Sequence, residues 1–334
     1  MYALHLNIYV TDKCSRKCSY CYNPDNNEGD MSLTTAKDIG NWIGAFATKE
    51  NVKNFRCHFL GGEPFLNLEA IFNITDTLDS NYSITSASDG RYIIFTNGDY
   101  LTDENLKEVK LRNILIYVHC LNDISLEELE NRILAVKEIC HGCALSIVID
   151  DSPVDRFVEI IKLAIKHKCH PRMNALYQVG VNYVEEYKKI YREKITRALS
   201  LILASGVAIY PNFLQSDLYI TWDKLGVNPH FCGKCFYVIN QFGKIRTCTL
   251  DVVESNNTIY NSYKKEDISF WQKHEAPFEC KTCQWVTWCQ GGCPVRRKIA
   301  STNKIYLCDV YKETFPIMFE LKKRWLRRSN YVPI

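Results

Sequence analysis

The chain has 334 residues, 46% hydrophobic and 24% charged, and its 41 Lys and Arg against 38 Asp and Glu leave a net charge of only +3. That is an ordinary balance for a globular protein, with no sign of a nucleic-acid partner. Its longest apolar stretches, such as Leu201–Ala204 and Ile114–Val118, fall short of a bilayer span, and Met1-Tyr-Ala-Leu-His lacks the basic start and apolar core of a secretion signal, so a cytoplasmic protein without a membrane partner is expected, in which sixteen cysteines point to metal ligation rather than disulfides.

Over the first 200 residues, apolar or β-branched runs alternate with amphipathic stretches. The runs predict strands at Leu4–Val10, Asn54–Leu60, Tyr92–Thr96, Ile114–His119, Ala144–Ile149 and Arg172–Gln178. Such alternation predicts βα units around a parallel sheet, an α/β fold with a partial (β/α)6 TIM-like barrel whose chemistry sits at the C-terminal ends of the strands. The first strand runs into Cys14-x3-Cys18-x2-Cys21, with no further Cys until Cys57. Three thiolates would hold a cuboidal 4Fe-4S cluster and leave one iron without a protein ligand, whereas a closed electron-transfer cluster takes four. A zinc knuckle or three unrelated thiols is the alternative, although zinc would lack its fourth ligand.

Gly61-Gly62-Glu63-Pro64 follows the second strand; its glycines permit close backbone approach to a ligand, and its carboxylate can accept hydrogen bonds from an ammonium group. Without the three-cysteine loop, the element would read as a tight turn. Thr96-Asn97-Gly98 closes the third strand and His119-Cys120-Leu121-Asn122-Asp123 the fourth. Ser125-Leu-Glu-Glu128 reads as a capping box, and Ser152-Pro153 as an N-cap before a proline at the first helical position, with Phe157, Ile160, Ile161, Ala164 and Ile165 on the face that covers the sheet.

The C-terminal third carries Cys232-x2-Cys235, Gly243-x4-Cys248, Cys280-x2-Cys283-x5-Cys289-x3-Cys293 and Cys308. Eight cysteines suffice for two closed four-thiolate clusters, or alternatively for a pair of zinc sites. Metal binding there would supply much of the folding energy of a segment with few long apolar runs. The basic run Lys322–Arg328 reads as the solvated face of a terminal helix. Cys57, Cys120, Cys140, Cys143 and Cys169 stand outside the motifs as candidate small core residues.

The three-cysteine loop after a strand, with Tyr20 before its third Cys, resembles the signature of the radical S-adenosylmethionine (SAM) enzymes, and Gly61-Gly62-Glu63-Pro64 and Thr96-Asn97-Gly98 resemble that family's GGEP and T-N-G elements. The resemblance implies SAM chelating the open iron and reductive cleavage to a 5'-deoxyadenosyl radical. It further implies SAM contacts from Gly61, Gly62, Glu63, Pro64, Thr96 and Asn97, and from Arg132 and Arg172, where relatives carry basic residues; surface or structural arginines are the alternative. Cys120 and Asn122 stand where relatives usually carry Ser and Asp. The C-terminal cysteines resemble the SPASM domain of peptide and protein maturases, which implies one auxiliary cluster on Cys232, Cys235, Cys248 and Cys293 and a second on Cys280, Cys283, Cys289 and Cys308, three 4Fe-4S clusters in all. The expected organisation is a barrel over 1–205, a linker over 206–231, the cluster domain over 232–310 and a terminal helix or tail over 311–334.

By resemblance, the activity is oxidative modification of a ribosomally made precursor peptide, forming a carbon–carbon, thioether or ether crosslink. An external donor of flavodoxin or ferredoxin type would supply electrons. With the first strand beginning within a few residues of Met1, no leader-binding domain is expected before the barrel, and a separate protein could take that role. A small-molecule dehydrogenase, a sulfatase-maturase-like enzyme, a peptide epimerase and a non-catalytic iron–sulfur electron carrier are the alternatives; intact GGEP and T-N-G elements oppose the last. Asp251, three places after Cys248, is a weak candidate for the base, because sulfatase maturases carry theirs immediately after that cysteine. Cys120 is a weak candidate for an epimerase-type hydrogen donor.

Overall fold

A computed structural model describes residues 3–21, 29–52, 54–82, 91–140, 142–176, 183–209, 236–246, 276–289, 291–293, 297 and 301–328. One sheet takes its strands in the order β6-β5-β4-β3-β2-β1-β7-β8, with β1 Ala3–Thr11, β2 Asn54–Gly61, β3 Tyr92–Thr96, β4 Ile114–His119, β5 Cys143–Ile149, β6 His170–Ala175, β7 Phe236–Ile239 and β8 Ile245–Arg246. Seven strands are parallel and β8 is antiparallel, an α/β partial barrel. The helices are α1 Leu33–Lys49, α2 Leu68–Asn81, α3 Asp103–Leu111, α4 Leu126–Ile139, α5 Val154–Lys166, α6 Val184–Ser205, α7 Val286–Cys289 and α8 Cys308–Arg328. The chain divides into two compact units: Met1–His119 with Arg132–Cys143 and Phe231–Lys273, and Cys120–Asn131 with Ala144–His230 and His274–Ile334.

In the first unit β1 is central, parallel to β2 on one side and to β7 on the other. Leu4, Leu6, Ile8 and Val10 alternate along it and are all buried, the period-two pattern of a strand with one face against a core. The other face is more polar: the Asn7 side chain and His58 of β2 meet at 3.2 Å, and the His58 ring packs edge-on to Phe95 at 5.5 Å. Helix α1 starts where Ser32 caps it, its hydroxyl accepting the Thr35 N–H at 3.1 Å.

The second unit pairs β5 with β6 in parallel and covers them with α5, whose Phe157, Ile160, Ile161 and Ala164 are buried as the sequence predicts. The buried Tyr187 hydroxyl of α6 accepts the Leu176 N–H at 2.7 Å and donates to the Ile149 carbonyl at 2.8 Å, tying the ends of β5 and β6 together. Tyr187, Tyr191, Tyr311 and Phe315 fill the space between α6 and α8. Trp285 stacks on Phe315 and Phe319, which anchors the Cys283–Cys289 segment to α8.

Three expectations change. The sheet is wider than six strands, because Phe236–Ile239, in the span read as the cluster domain, pairs with β1. The sixth strand runs His170–Ala175 rather than Arg172–Gln178, and residues 177 and 178 lie outside the described residues. Ser152 does not cap α5: Pro153 occupies the cap, α5 begins at Val154, and the Ser152 hydroxyl instead accepts a hydrogen bond from Lys194. The other start is as read, the Ser125 hydroxyl accepting the Glu128 N–H at 3.0 Å. Ser125→Ala should cost about 1 kcal/mol of stability, visible as a lowered urea midpoint; an unchanged midpoint would show that the cap contributes nothing.

Candidate metal and cofactor site

Cys14, Cys18 and Cys21 lie on an irregular loop directly after β1, each half-buried. The loop is held at its root: the Thr11 hydroxyl donates to Asp30 at 2.6 Å and accepts the Lys13 N–H at 3.0 Å, Lys13 pairs with Asp30, and the Gln241 amide of the β7–β8 turn donates to Asp12. Within it the Cys21 N–H reaches the Cys18 carbonyl at 3.0 Å. Two donors face the Cys14 sulfur, the Arg16 N–H at 3.4 Å and the Asn97 side-chain amide at 3.9 Å. Donors aimed at a sulfur favour the thiolate that a metal requires, and they oppose the burial that raises the Cys14 thiol above its ordinary value. Three half-buried thiols with N–H groups directed at one of them fit an iron–sulfur cluster.

The Gly61-Gly62-Glu63-Pro64 element packs against the cysteine loop. A Cβ on Gly61, at φ +155°, would lie 2.2 Å from the Thr11 carbonyl oxygen, and one on Gly62 would lie 2.2 Å from that of Lys13. What approaches these glycines is therefore the backbone of the cysteine loop itself, to which Gly62 and Glu63 donate their N–H groups at 2.9 and 2.8 Å. The Glu63 carboxylate, 0% exposed, accepts from the Phe65 N–H (3.1 Å), the Thr96 hydroxyl (2.7 Å) and the Asn97 N–H (2.7 Å). Its carboxylate is thus engaged by the protein's own donors, and Pro64 opens the short 3-10 turn Pro64–Asn67 beside it.

Burial pushes the Glu63 carboxyl up to about 7, against the opposing pull of those three hydrogen bonds and with a further push from Asp99. Asp99 gathers the remaining loop contacts: Ser15 at 2.7 Å, Arg16 through Nε and Nη2 at 2.8 and 2.5 Å, and Arg132 at 3.0 Å. Burial disfavours its charge, but Arg16 and Ser15 with Arg132 outweigh it and hold the carboxyl below the usual range. Arg132 also donates to the Asn97 carbonyl, and the Asn97 side chain donates to Ser15 at 3.0 Å. The cysteine loop and the ends of β2 and β3 thus form one hydrogen-bonded body. Ser15, Arg16 and Asp99 were not singled out from the sequence; their signal was adjacency to the cysteines and to Thr96-Asn97-Gly98.

In the second unit Arg172 is half-buried on β6 and its Nε meets the Asn174 side chain at 3.2 Å. Cys120 is 5% exposed, with burial first and the neighbouring Cys169 second holding its thiol protonated, the setting of a small core residue. Cys280, Cys283, Cys289 and Cys308 share one neighbourhood: burial raises Cys280, Cys289 and Cys308, and each is raised further by charge on others of the four. Among the described residues no three His, Cys, Asp or Glu side chains are grouped to hold a single metal ion. Cys293 is half-buried at the end of the same segment. Cys232, Cys235, Cys248 and Asp251 lie outside the described residues. No described helix is long and apolar enough to cross a membrane.

A family model described as the radical SAM superfamily matches residues 8–193. Among curated proteins, an uncharacterized protein of Methanocaldococcus jannaschii (MJ0907) is 32% identical over 125 residues, covering 36% of this chain and 41% of its own length. The GTP 3',8-cyclase of Aquifex aeolicus is 30% identical over 141 residues, covering 40% and 41%. A probable GTP 3',8-cyclase of Methanocaldococcus jannaschii is 25% identical over 271 residues, covering 73% and 84%. The chain thus spans about two fifths of the length of the first two relatives. A solved structure of histidine-tagged anSMEcpe with bound AdoMet superposes with a TM-score of 0.65 at 17% identity, covering 99% of this chain and 96% of that one, a likeness of fold.

Because Glu63 binds its proton more tightly folded than unfolded, its contribution to stability is complete below the ordinary carboxylate range and is lost as pH rises through about 7. The metal-free protein should lose stability between about pH 5 and 7 relative to Glu63→Gln, which cannot titrate there; denaturation midpoints of the two proteins that run parallel across that range would refute the buried, raised carboxyl.

Proposed function

The chain belongs to the radical SAM superfamily, and from that membership we propose that it is an enzyme that oxidatively modifies a ribosomally made precursor peptide. Cys14, Cys18 and Cys21 would hold a 4Fe-4S cluster with one iron open to SAM, and that group, when bound, would supply one-electron reduction of SAM. Asn97 and Arg16 stabilise the Cys14 thiolate by their N–H groups, and Gly61, Gly62 and Glu63 seat the loop.

The observation that supports the peptide reading is the neighbourhood shared by four thiols, Cys280, Cys283, Cys289 and Cys308, in which burial first, with the nearby thiols among the further causes, raises Cys280, Cys289 and Cys308. A zinc site gathers its ligands around one ion at about 2.3 Å from each sulfur. A cluster binds each thiolate at a different iron, and in a chain of the radical SAM superfamily we read these four neighbouring thiols as ligands of a cluster. A closed cluster of that kind can take the electron that a substrate radical loses. The resemblance of the C-terminal cysteines to the SPASM domain implies that Cys232, Cys235, Cys248 and Cys293 would hold a second such cluster. The assignment includes a cytoplasmic setting, a flavodoxin- or ferredoxin-type electron donor and a leader peptide gripped by this chain or by a separate protein.

A second reading, cyclisation of a nucleotide, is favoured by the two relatives named GTP 3',8-cyclase. Anaerobic reconstitution separates the readings. Wild type given SAM and dithionite should release 5'-deoxyadenosine, and a Cys14/Cys18/Cys21→Ala variant should fall to background. Three clusters correspond to about twelve iron atoms per chain, and a count near four would remove the auxiliary clusters from the account. Co-expression with candidate precursor peptides should lower the mass of the one that is the substrate by two hydrogens. Conversion of GTP to a cyclised nucleotide, with the peptide untouched, would replace the peptide reading with the second one.

A further inference from the structure

The cysteine loop has two sides. Cys14, Arg16 and Cys18 are half-buried, while Lys13, Ser15, Lys17 and Ser19, which alternate with them, are exposed. The side in contact with water thus carries two lysines and two small serines. Lys13 is matched by Asp30, and Arg16 by Asp99. Lys17 has no acidic partner among the described residues.

The β7–β8 turn stands at the root of this loop, where the buried Gln241 donates to Asp12, two residues before Cys14. Asn240 locks the turn: its Oδ1 accepts the N–H groups of Phe242 at 3.1 Å and Lys244 at 2.9 Å, and its carbonyl accepts that of Gly243 at 2.9 Å. Gly243 supplies the positive φ, +76°, that the turn requires. Between the buried Gln241 and this glycine, Phe242 is 51% exposed. A single exposed phenyl ring is ordinary on a protein surface. This one is held on a fixed turn beside a loop whose solvent side is basic, and Lys244 on the same turn also lacks an acidic partner among the described residues. An aromatic anchor among charges of one sign is the anatomy of a small interface, in which the ring supplies affinity and the charges steer the encounter. Encounters between electron carriers are of this small kind, burying less than about 1,200 Å².

We propose that the solvent side of the cysteine loop and the β7–β8 turn form the docking surface of an acidic one-electron carrier protein, with Phe242 as the apolar anchor and Lys17 and Lys244 as the attracting charges. The inference rests on the SAM-enzyme reading, in which the site on Cys14, Cys18 and Cys21 takes its electron from outside the chain. The carrier gives up one electron and leaves oxidised by that electron, and no bond or proton is exchanged. A partner seated there faces Cys14 and Cys18 across the thickness of the loop alone.

The test is binding of two acidic carriers, a flavodoxin and a plant-type ferredoxin, to the reconstituted protein by surface plasmon resonance. Wild type should bind at least one of them, and less tightly as salt is raised. Phe242→Ser should weaken that binding about tenfold, the loss of one anchor side chain. Lys244→Glu should weaken it and flatten its salt dependence. Bleaching of the iron–sulfur absorbance by dithionite, a small reductant that needs no docking surface, should proceed in both variants as in wild type. Unchanged binding in either variant, wild-type binding that ignores salt, or binding of neither carrier overturns the inference. Loss of dithionite bleaching together with binding also overturns it, because the turn would then act on the loop and not on a partner. Release of 5'-deoxyadenosine with dithionite and SAM is read in the same samples. Its absence from wild type overturns the SAM-enzyme reading beneath, and its presence without carrier binding overturns the docking surface alone.

Discussion

One buried carboxylate organises the first unit. Glu63 receives hydrogen bonds from the turn it opens and from the end of β3, while its own N–H reaches back to the cysteine loop at the Lys13 carbonyl. Three separate pieces of chain are thereby set around a group that water does not reach. The desolvation of that carboxylate is costly, and three donors offset it only in part, as its raised ionisation range shows. Oε1 is held by two donors and Oε2 by the Asn97 N–H, so loss of any of them would leave buried hydrogen-bonding capacity of the carboxylate unfilled.

Around this centre the cysteine loop has no regular secondary structure and is defined by its attachments. Gln241 and Asp30 hold its root, Gly61 and Gly62 its underside, and Asp99 with Arg16 and Ser15 its outer turn. A loop that presents three thiols to one metal group must be preorganised, since ligands free to wander would lose affinity to chain entropy. The β7–β8 hairpin takes part in this: β7 extends the sheet beside β1, and its turn reaches Asp12, two residues before Cys14. In sequence the hairpin lies between Cys235 and Cys248, so the segment that supports the first thiols is flanked by cysteines of the C-terminal motif.

The strands were legible because their residues are buried and β-branched or aromatic at the right period, as in Leu4–Val10 and Ile114–His119. β7 was not, since Phe-Tyr-Val-Ile is a short apolar run beside Cys235 and nothing local says that it pairs in parallel with a strand more than two hundred residues earlier. The thiols of the candidate site were legible from spacing alone. The packing of their neighbours was not: nothing local in two glycines and a glutamate at a strand end says that the backbone of Thr11 and Lys13 comes within 2.2 Å of where a Cβ would stand. Asp99 and Arg16 were invisible for a related reason, as an ion pair across 83 residues leaves no local pattern. Ser152 misled because its hydroxyl had a stronger claimant in the buried Lys194.

The central claim is that Cys14, Cys18 and Cys21 hold a cluster with one iron left for SAM. Electron–nuclear double resonance on the reduced, reconstituted protein tests this most directly, with SAM carrying 15N in its amino group and 17O in its carboxylate. The account requires hyperfine coupling to both labels, lost when the three cysteines are replaced. A reduced cluster that shows no coupling to either label would mean that no iron is open to SAM and would contradict the account at its root.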